Sequence, residues 1–379
     1  MPKIDIYWDL RATIPERHTG VGQHVIEVIN GLRARDDFDL RVLLANDQIQ
    51  LWTAQAEAFG WQTLEVVVLP LTNKGNRLLY GVTSIWSLDR ICEGRDMVYS
   101  PMEMILGLKR IPFLNTIHGI PCFENSLPVS LYNSPLYRWE RLKQAWFFRR
   151  CRQLCSVSFP VSDYLENRLV QRFGFDPAKL HSVYNGAADS FFEFQDKESS
   201  THNKENPRLL SVGGANAFDG GADLVRVARI LEQEMPTAKI LIAGDRHEEP
   251  WDHQLRSVPN VAWHGFLSSD RMVEEMRRST ALLYVPSVES FGIIGVEAMA
   301  IGLPVLAKKS AALSEVMGDA ACWINPEDAS DVLRSVTEIS SDSTLRKELI
   351  QKGRQQAKRY RWSHVVERVV VGFQSVLSN

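Results

Sequence analysis

What the chain lacks narrows its reading first. No run of about 18 apolar residues occurs, so no membrane-spanning helix is expected. The opening MPKIDIYWDL has neither a basic n-region leading into an apolar run nor a cleavage site, so no export signal is expected either. Five cysteines, Cys92, Cys122, Cys151, Cys155 and Cys322, make no Cys-x-x-Cys pair and are odd in number. That argues against a disulfide framework and for reduced thiols in the cytoplasm. Neither sign of charge is in excess: the formal net charge is −3, which gives no reason to expect nucleic acid. TGVGQHVIEV (19–28) lacks the third glycine of the G-x-G-x-x-G dinucleotide fingerprint. Metal-ligand spacing is also missing. Asp37-Phe38-Asp39 sits in a charged turn, and DRHEEPWDH (245–253) fits a solvated loop, so neither metal nor cofactor is expected.

What is present is an ordinary globular composition, 45% hydrophobic and 23% charged, over 379 residues. Such a length exceeds what one core usually supports, so two domains are expected. Short apolar runs recur at 4–7, 40–44, 64–68, 97–99, 113–117, 154–158 and 179–183, separated by helical stretches. After the polar tract QDKESSTHNKENP (195–207), a second series follows at 209–212, 238–242, 261–263, 281–285, 304–307 and 321–323. The pattern implies α/β architecture, two Rossmann-like doubly wound domains with parallel sheets. We place the first domain at 1–194, a linker at 195–207 and the second domain at 208–358. The stretch 359–379 reads as an amphipathic helix packing across the domain boundary.

SVESFGIIGVEAMAIGLPV (287–305) carries the chemistry. The run ALLYVPS before it reads as a buried strand, and the apolar positions from Ile293 onward have helical spacing until Gly302 and Pro304 stop them. Glu289 then lies in a loop and Glu297 in the early turns of a helix. A strand, a loop with Gly292 and a helix N-terminus form a ready anion site, for which phosphate is the expected guest. The two carboxylates accept hydrogen bonds from hydroxyls on either side of it, as a sugar and a ribose flanking a diphosphate would offer. The plainer alternative is that Glu297 complements the helix dipole and Glu289 is solvated.

ESFGIIGVE followed by AMAIGLPV resembles the Glu-x7-Glu motif of the retaining family 4 glycosyltransferases. Their fold is GT-B, two Rossmann-like domains facing a central cleft. TGVGQHVIEV, TIHGI (116–120), VSDYLENRL (161–169) and VYNGAADSFF (183–192) are similar to further stretches of that family, in the same order. The resemblance implies that Glu289 contacts the donor sugar and Glu297 holds the ribose hydroxyls. It also implies that the backbone of Phe291, Gly292, Ile293 and Ile294 approaches the diphosphate, with Gly20, Gly22 and Gly213 in the glycine-rich loops. His118 falls on the family's active-site histidine. As a lone histidine after a buried strand it fits a structural role equally well.

One departure stands out. The family usually carries an Arg and a Lys after the first strand of the second domain, and here SVGGANAFDGG (211–221) puts Gly214 and Asp219 there. A diphosphate brings about two negative charges, while one helix end offers about half a positive one. Arg246, Lys308, Lys309, Arg11 and Arg17 are the cations that could compensate, with Arg246 and Lys308 foremost. Alternatively the donor carries one phosphate, as a CMP-sugar does, or the protein is a non-catalytic binding subunit. The segment 132–152 interleaves six basic residues with Trp139, Trp146, Phe147 and Phe148. It reads either as a core-packed helix with a solvated basic face or as a peripheral membrane contact. The function these features favour is a metal-independent, retaining hexosyltransferase. It would move a sugar, with mannose the expectation by general likeness, from a nucleotide-sugar donor to a glycan or lipid-linked glycan in surface polysaccharide synthesis.

Overall fold

The structure, a computed structural model, describes residues 1–378 except 16–18, 77–86, 125–133, 194–204, 214, 245 and 247–249. Gly214, Arg17, most of the tract 195–207, the start of the basic segment 132–152 and, within DRHEEPWDH, residues 245 and 247–249 lie outside the described residues. The chain divides into two units. One comprises Met1–Ile120, Trp139–Asn185 and Trp362–Asn379, and the other Pro121–Arg138 and Gly186–Arg361.

The first unit is built on β1 (Lys3–Tyr7), β2 (Asp39–Ala45), β3 (Glu65–Leu69), β4 (Met97–Ser100), β5 (Phe113–Ile117) and β6 (Val157–Pro160). All pair in parallel, in the order β3-β2-β1-β4-β5-β6. Every residue of β4, β5 and β6 is buried, as strands covered on both faces require. The strand order reverses between β1 and β4, so the chain leaves these two strands toward opposite sides and opens a crevice beyond their carboxyl ends. The helix Trp362–Leu377 buries Val365, Val366, Val369, Val370 and Phe373, with Phe373 edge-on to Tyr99 at 5.1 Å.

The second unit repeats this wiring with β7 (Arg208–Val212), β8 (Lys239–Ala243), β9 (Val261–Gly265), β10 (Ala281–Tyr284), β11 (Val305–Lys308) and β12 (Ala321–Ile324). Their order is β12-β11-β10-β7-β8-β9, which puts its switch point between β10 and β7. Its core joins Leu209, Ile240, Ile242, Leu283 and Leu306 of the sheet to Leu224, Val227 and Leu231 of the helix Gly221–Glu234.

Two expected strands differ. The helix Pro135–Leu154 runs through Leu154, because Phe148, Cys151 and Leu154 still follow its 3.6-residue repeat, and β6 begins only at Val157. Residues 179–183 run beside β6, with His181 N–H donating to Ser158 and Val183 N–H to Pro160. They form only the isolated bridge between Ser158 and Leu180. Pro160 has no N–H to return, and Tyr184, at φ 65°, ends the extended run.

Candidate active site

At the second unit's switch point the turn from β10 into the helix Ile293–Ile301 is fixed by one carboxylate. Glu289 Oε1 accepts from the amides of Ser290 at 2.9 Å and Phe291 at 3.1 Å, and Oε2 accepts from the Tyr284 hydroxyl. Burial and the adjacent carboxylate push the Tyr284 hydroxyl well above its usual range, so it stays a donor. Three donors on the two oxygens leave Glu289, which is half-buried, one acceptor position for an outside hydroxyl. Gly292 caps the helix at φ 91°, and a Cβ there would lie 2.7 Å from Leu313 Cδ2, so both backbone and space demand glycine. Its carbonyl accepts from Gly295 and Val296, leaving the Ile293 and Ile294 amides without an intrahelical acceptor. Phe291 is buried against Tyr360, with ring centroids 5.3 Å apart. Glu297, eight residues after Glu289, is 7% exposed on the second turn of the helix.

The loop after β7 shares this crevice. The Phe218 carbonyl accepts from Ser287 at 3.0 Å and Val288 at 3.1 Å, tying the two switch-point loops together. Asn216 Oδ1 accepts from the amides of Phe218 and Asp219, and its Nδ2 donates to Asp219 Oδ2 at 2.6 Å. Gly220, at φ 79°, caps the helix Gly221–Glu234, and a Cβ on it would meet the Val285 carbonyl at 1.8 Å. The start of that helix is therefore held against the end of β10. Two helix N-termini accordingly meet at the switch point, together worth about one positive charge. Asp219 is close enough to help raise the Tyr284 hydroxyl, so it sets a negative charge near the same ends. Gly213, at φ 114°, donates its N–H to Ala243 at 2.9 Å, and a Cβ on it would be 3.4 Å from Asp219 Cγ.

The cations proposed from sequence are not equivalent. Lys308, at the end of β11, donates to Asp223 Oδ2 at 2.6 Å, and Arg226 takes the other oxygen at 2.5 Å. Arg11 is tied to Asp9 at 2.5 Å. Lys309 is exposed. Arg246 is exposed beyond β8, its guanidinium 5.5 Å from the Trp263 ring centroid, and among the described residues it has no carboxylate partner. The carboxylates of Asp37 and Asp39 go to Arg35 at 2.8 Å and Arg95 at 3.0 Å.

In the first unit His118 follows β5 directly. Its amide and that of Gly119 donate to Glu103 Oε1, and its Nε2 is 3.0 Å from the Pro101 carbonyl. Because a carbonyl only accepts, Nε2 carries the proton. The His24 ring stands edge-on to it, 4.7 Å away at 85°. Fully buried His24 bonds through Nδ1 to Asn185 Oδ1 at 2.7 Å, while its Nε2 has no partner among the described residues. Burial, then the neighbouring His118, holds the His24 imidazole well below its usual pKa, so it is neutral. Gly20 and Gly22 correct an expectation. Neither has positive φ, and they are the first and third residues of the helix Gly20–Arg33 rather than part of a loop, with Thr19 as its cap. Sequence reasoning missed Tyr284, Asn216, Asp223, Glu103, His24 and Asn185. His24 had one signal, an imidazole on the face that also buries Val25, Val28, Ile29 and Leu32.

Comparisons with known proteins bear on the family and the fold. Residues 18–190 match the family described as Glycosyltransferase Family 4, and residues 192–356 match Glycosyl transferases group 1. An uncharacterised glycosyltransferase of Methanocaldococcus jannaschii is 23% identical over 69% of this chain and 68% of its own. The O-antigen chain mannosyltransferase RfbU of Salmonella typhimurium is 24% identical over 82% of this chain and 84% of its own. Among solved structures, Anabaena HepE, crystallised with UDP and glucose, superposes with a TM-score of 0.68 at 15% identity. That match covers 99% of this chain and all of HepE.

Proposed function

From the premise that the chain is a glycosyltransferase of GT-B fold, a family 4 domain followed by a group 1 domain, we propose a retaining, metal-independent hexosyltransferase using a nucleoside-diphosphate sugar. The observation that carries this reading is the clamped Glu289 beside two helix N-termini, eight residues before buried Glu297. Glu289 spends its remaining acceptor position on a donor-sugar hydroxyl. The amides of Gly292, Ile293 and Ile294 and the start of the helix Gly221–Glu234, with Gly213 and Gly214 before it, receive the diphosphate. Glu297 takes the ribose hydroxyls, and Arg246 supplies the cation that the loop after β7 lacks. His118, through Nδ1, accepts from a sugar hydroxyl, while Gly20 and Gly22, having no side chains, permit close backbone approach of the donor. In the transfer the bond from C1 to the diphosphate oxygen breaks and the acceptor oxygen bonds to C1 on the same face. The acceptor proton passes to the departing phosphate oxygen, so positioning and charge stabilisation suffice.

The Salmonella relative supports mannose as the sugar and a surface glycan as the acceptor. Calorimetric titration with UDP, GDP, ADP and CMP tests the donor class. One nucleoside diphosphate should bind, and Glu297→Ala should weaken it tenfold or more. No binding, or binding of CMP alone, overturns the assignment. Turnover unaffected by EDTA and a product of unchanged anomeric configuration test the other two terms.

We also assign a peripheral membrane contact to the helix Pro135–Leu154. Tyr137, Phe148 and Cys151 are buried on one side, while Leu136, Trp139, Leu142 and Trp146 on the opposite side are 70%, 58%, 65% and 40% exposed. Arg138, Lys143, Arg149 and Arg152 are exposed around this stripe. An apolar stripe with Trp and a basic rim suits an anionic bilayer surface. Flotation with phosphatidylserine vesicles, lost in Trp139→Glu, is expected. Equal background recovery with neutral and anionic vesicles refutes the contact.

A further inference from the structure

The first unit holds a buried imidazole that the reading above does not use. His24 is fully buried in the second turn of its helix, on the apolar face, yet one nitrogen is committed to Asn185 and the other has no partner among the described residues. A hydrophobic side chain would fill such a place at lower cost, since a buried polar atom left unpaired is unfavourable. Its cost points to a task other than packing. Two further observations converge on it. Tyr184, adjacent to Asn185, is the one non-glycine residue with positive φ among the described residues, and a bulky residue there is strained. It is restrained by its hydroxyl bond to Asp163 at 2.9 Å and by the Arg368 guanidinium 4.6 Å from its ring. Strain held beside Asn185 fixes the direction from which Asn185 reaches His24. On its other side the His24 ring meets His118 edge-on at 4.7 Å.

We infer that His24 is a positioning residue. Anchored by Asn185, its ring forms a wall that keeps His118 donating through Nε2 to Pro101, leaving His118 Nδ1 as an acceptor for a sugar hydroxyl. The consequence is selectivity: an acceptor nitrogen at this place reads a hydroxyl hydrogen and discriminates against a sugar that lacks the hydroxyl. The inference rests on the sugar contact proposed for His118, and its test separates the two.

The full chain labelled with ¹⁵N at histidine is compared by long-range ¹H–¹⁵N correlation, with His118→Gln identifying the His118 signals. The wild type should show His118 as the Nε2–H tautomer. In His24→Leu, which removes the flat wall, the His118 nitrogens should shift toward a mixture of tautomers. His24→Phe keeps the wall and should restore the wild-type pattern, while Asn185→Ala, which frees the His24 ring to turn, should behave like His24→Leu. Hydrolysis of UDP-glucose or GDP-mannose, whichever the wild type cleaves, should lose roughly tenfold or more in kcat in His24→Leu, as a misplaced contact does. A wild-type His118 pattern in folded His24→Leu overturns the inference, and the same pattern in folded Asn185→Ala overturns the anchoring role. Should His24→Leu fail to fold, His24→Phe and Asn185→Ala decide: an unaltered pattern in both overturns it. If His118→Gln retains wild-type turnover while His24→Leu changes the tautomer, positioning stands and the sugar contact falls.

Discussion

In the second unit every group seen to fix Glu289 lies within five residues of it: Tyr284 before, Ser290 and Phe291 after. In the first, His118 is held from Pro101 and Glu103, and its neighbour His24 is bonded to a residue 161 positions further along the chain. The strand wiring is the same in both sheets, so topology does not cause the difference. The carboxylate clamp after β10 is a local device, its backbone turned by Gly292, although the Phe218 carbonyl also ties it to the loop after β7. The histidine crevice is a tertiary device, complete only when three distant segments have docked. Local geometry should therefore fail through the backbone, and the distant one through packing and protonation.

The sharpest break of this contrast is a methyl group on a glycine in each crevice. Gly220→Ala adds a Cβ at 1.8 Å from the Val285 carbonyl in a left-handed backbone, which alone costs about 1–2 kcal/mol. With the clash, denaturant unfolding should show a loss above roughly 2 kcal/mol. Gly20→Ala, exposed at a helix start with ordinary φ, should stay within about 0.5 kcal/mol. Equal stability of the two variants would remove the claim that the second crevice is glycine-limited.

Next in size is the carboxylate. Glu289→Gln keeps the shape but offers an amide N–H₂ where an acceptor is needed, and kcat should fall about 10²–10³-fold. Tyr284→Phe leaves the carboxylate and removes one of its three clamps, so a loss of roughly tenfold is expected. If Tyr284→Phe were as damaging as Glu289→Gln, the tyrosine would itself be touching substrate.

The same contrast explains what was legible from sequence. Glu289, Gly292 and Glu297 could be read because their geometry is written in consecutive residues between a strand and a helix cap. Most strands were readable because the central strands of both sheets are buried on two faces and give continuous apolar runs, as Phe113–Ile117 does. Residues 179–183 failed because strand pairing depends on a partner's donors, and Pro160 has none to give. Asn185 lies in the family-like stretch VYNGAADSFF, yet nothing in that stretch points to His24: the contact exists only once the fold brings the two together. Lys308 reads from sequence as a cation that could compensate, yet its ion pair with Asp223 spans 85 residues and no spacing announces it.

Charge provides a smaller test of the second crevice. Arg246→Ala should raise the donor KM about tenfold with little change in stability, because the side chain is exposed and lies over Trp263. Lys308→Ala should leave KM nearly unchanged, since Asp223 already occupies its ammonium, and should instead lower stability slightly. Steady-state kinetics with the two variants side by side decides between them. The reverse result would hand the diphosphate to Lys308.

An effect that vanishes above about pH 6.5 belongs to the first crevice and appears only with pH. His24 has a folded pKa well below its ordinary value, with burial the principal cause and His118 the next. In the unfolded chain it titrates near 6.5. Below that pH the unfolded state binds a proton that the folded state refuses, so stability must fall as pH falls, and the contribution is fully present only above the unfolded pKa. The slope from this group approaches about 1.4 kcal/mol per pH unit. Phenylalanine cannot titrate, so the stability of His24→Phe relative to wild type should improve steadily from pH 6.5 downward. Its deficit at pH 8 should stay constant, reflecting the lost bond to Asn185. His118, the titratable group that faces His24, and Glu103 beyond it remain in both proteins, so subtraction removes most of their share. Parallel curves would mean that His24 takes up its proton in the folded state, and an imidazole that can do so is not the buried, neutral wall beside His118.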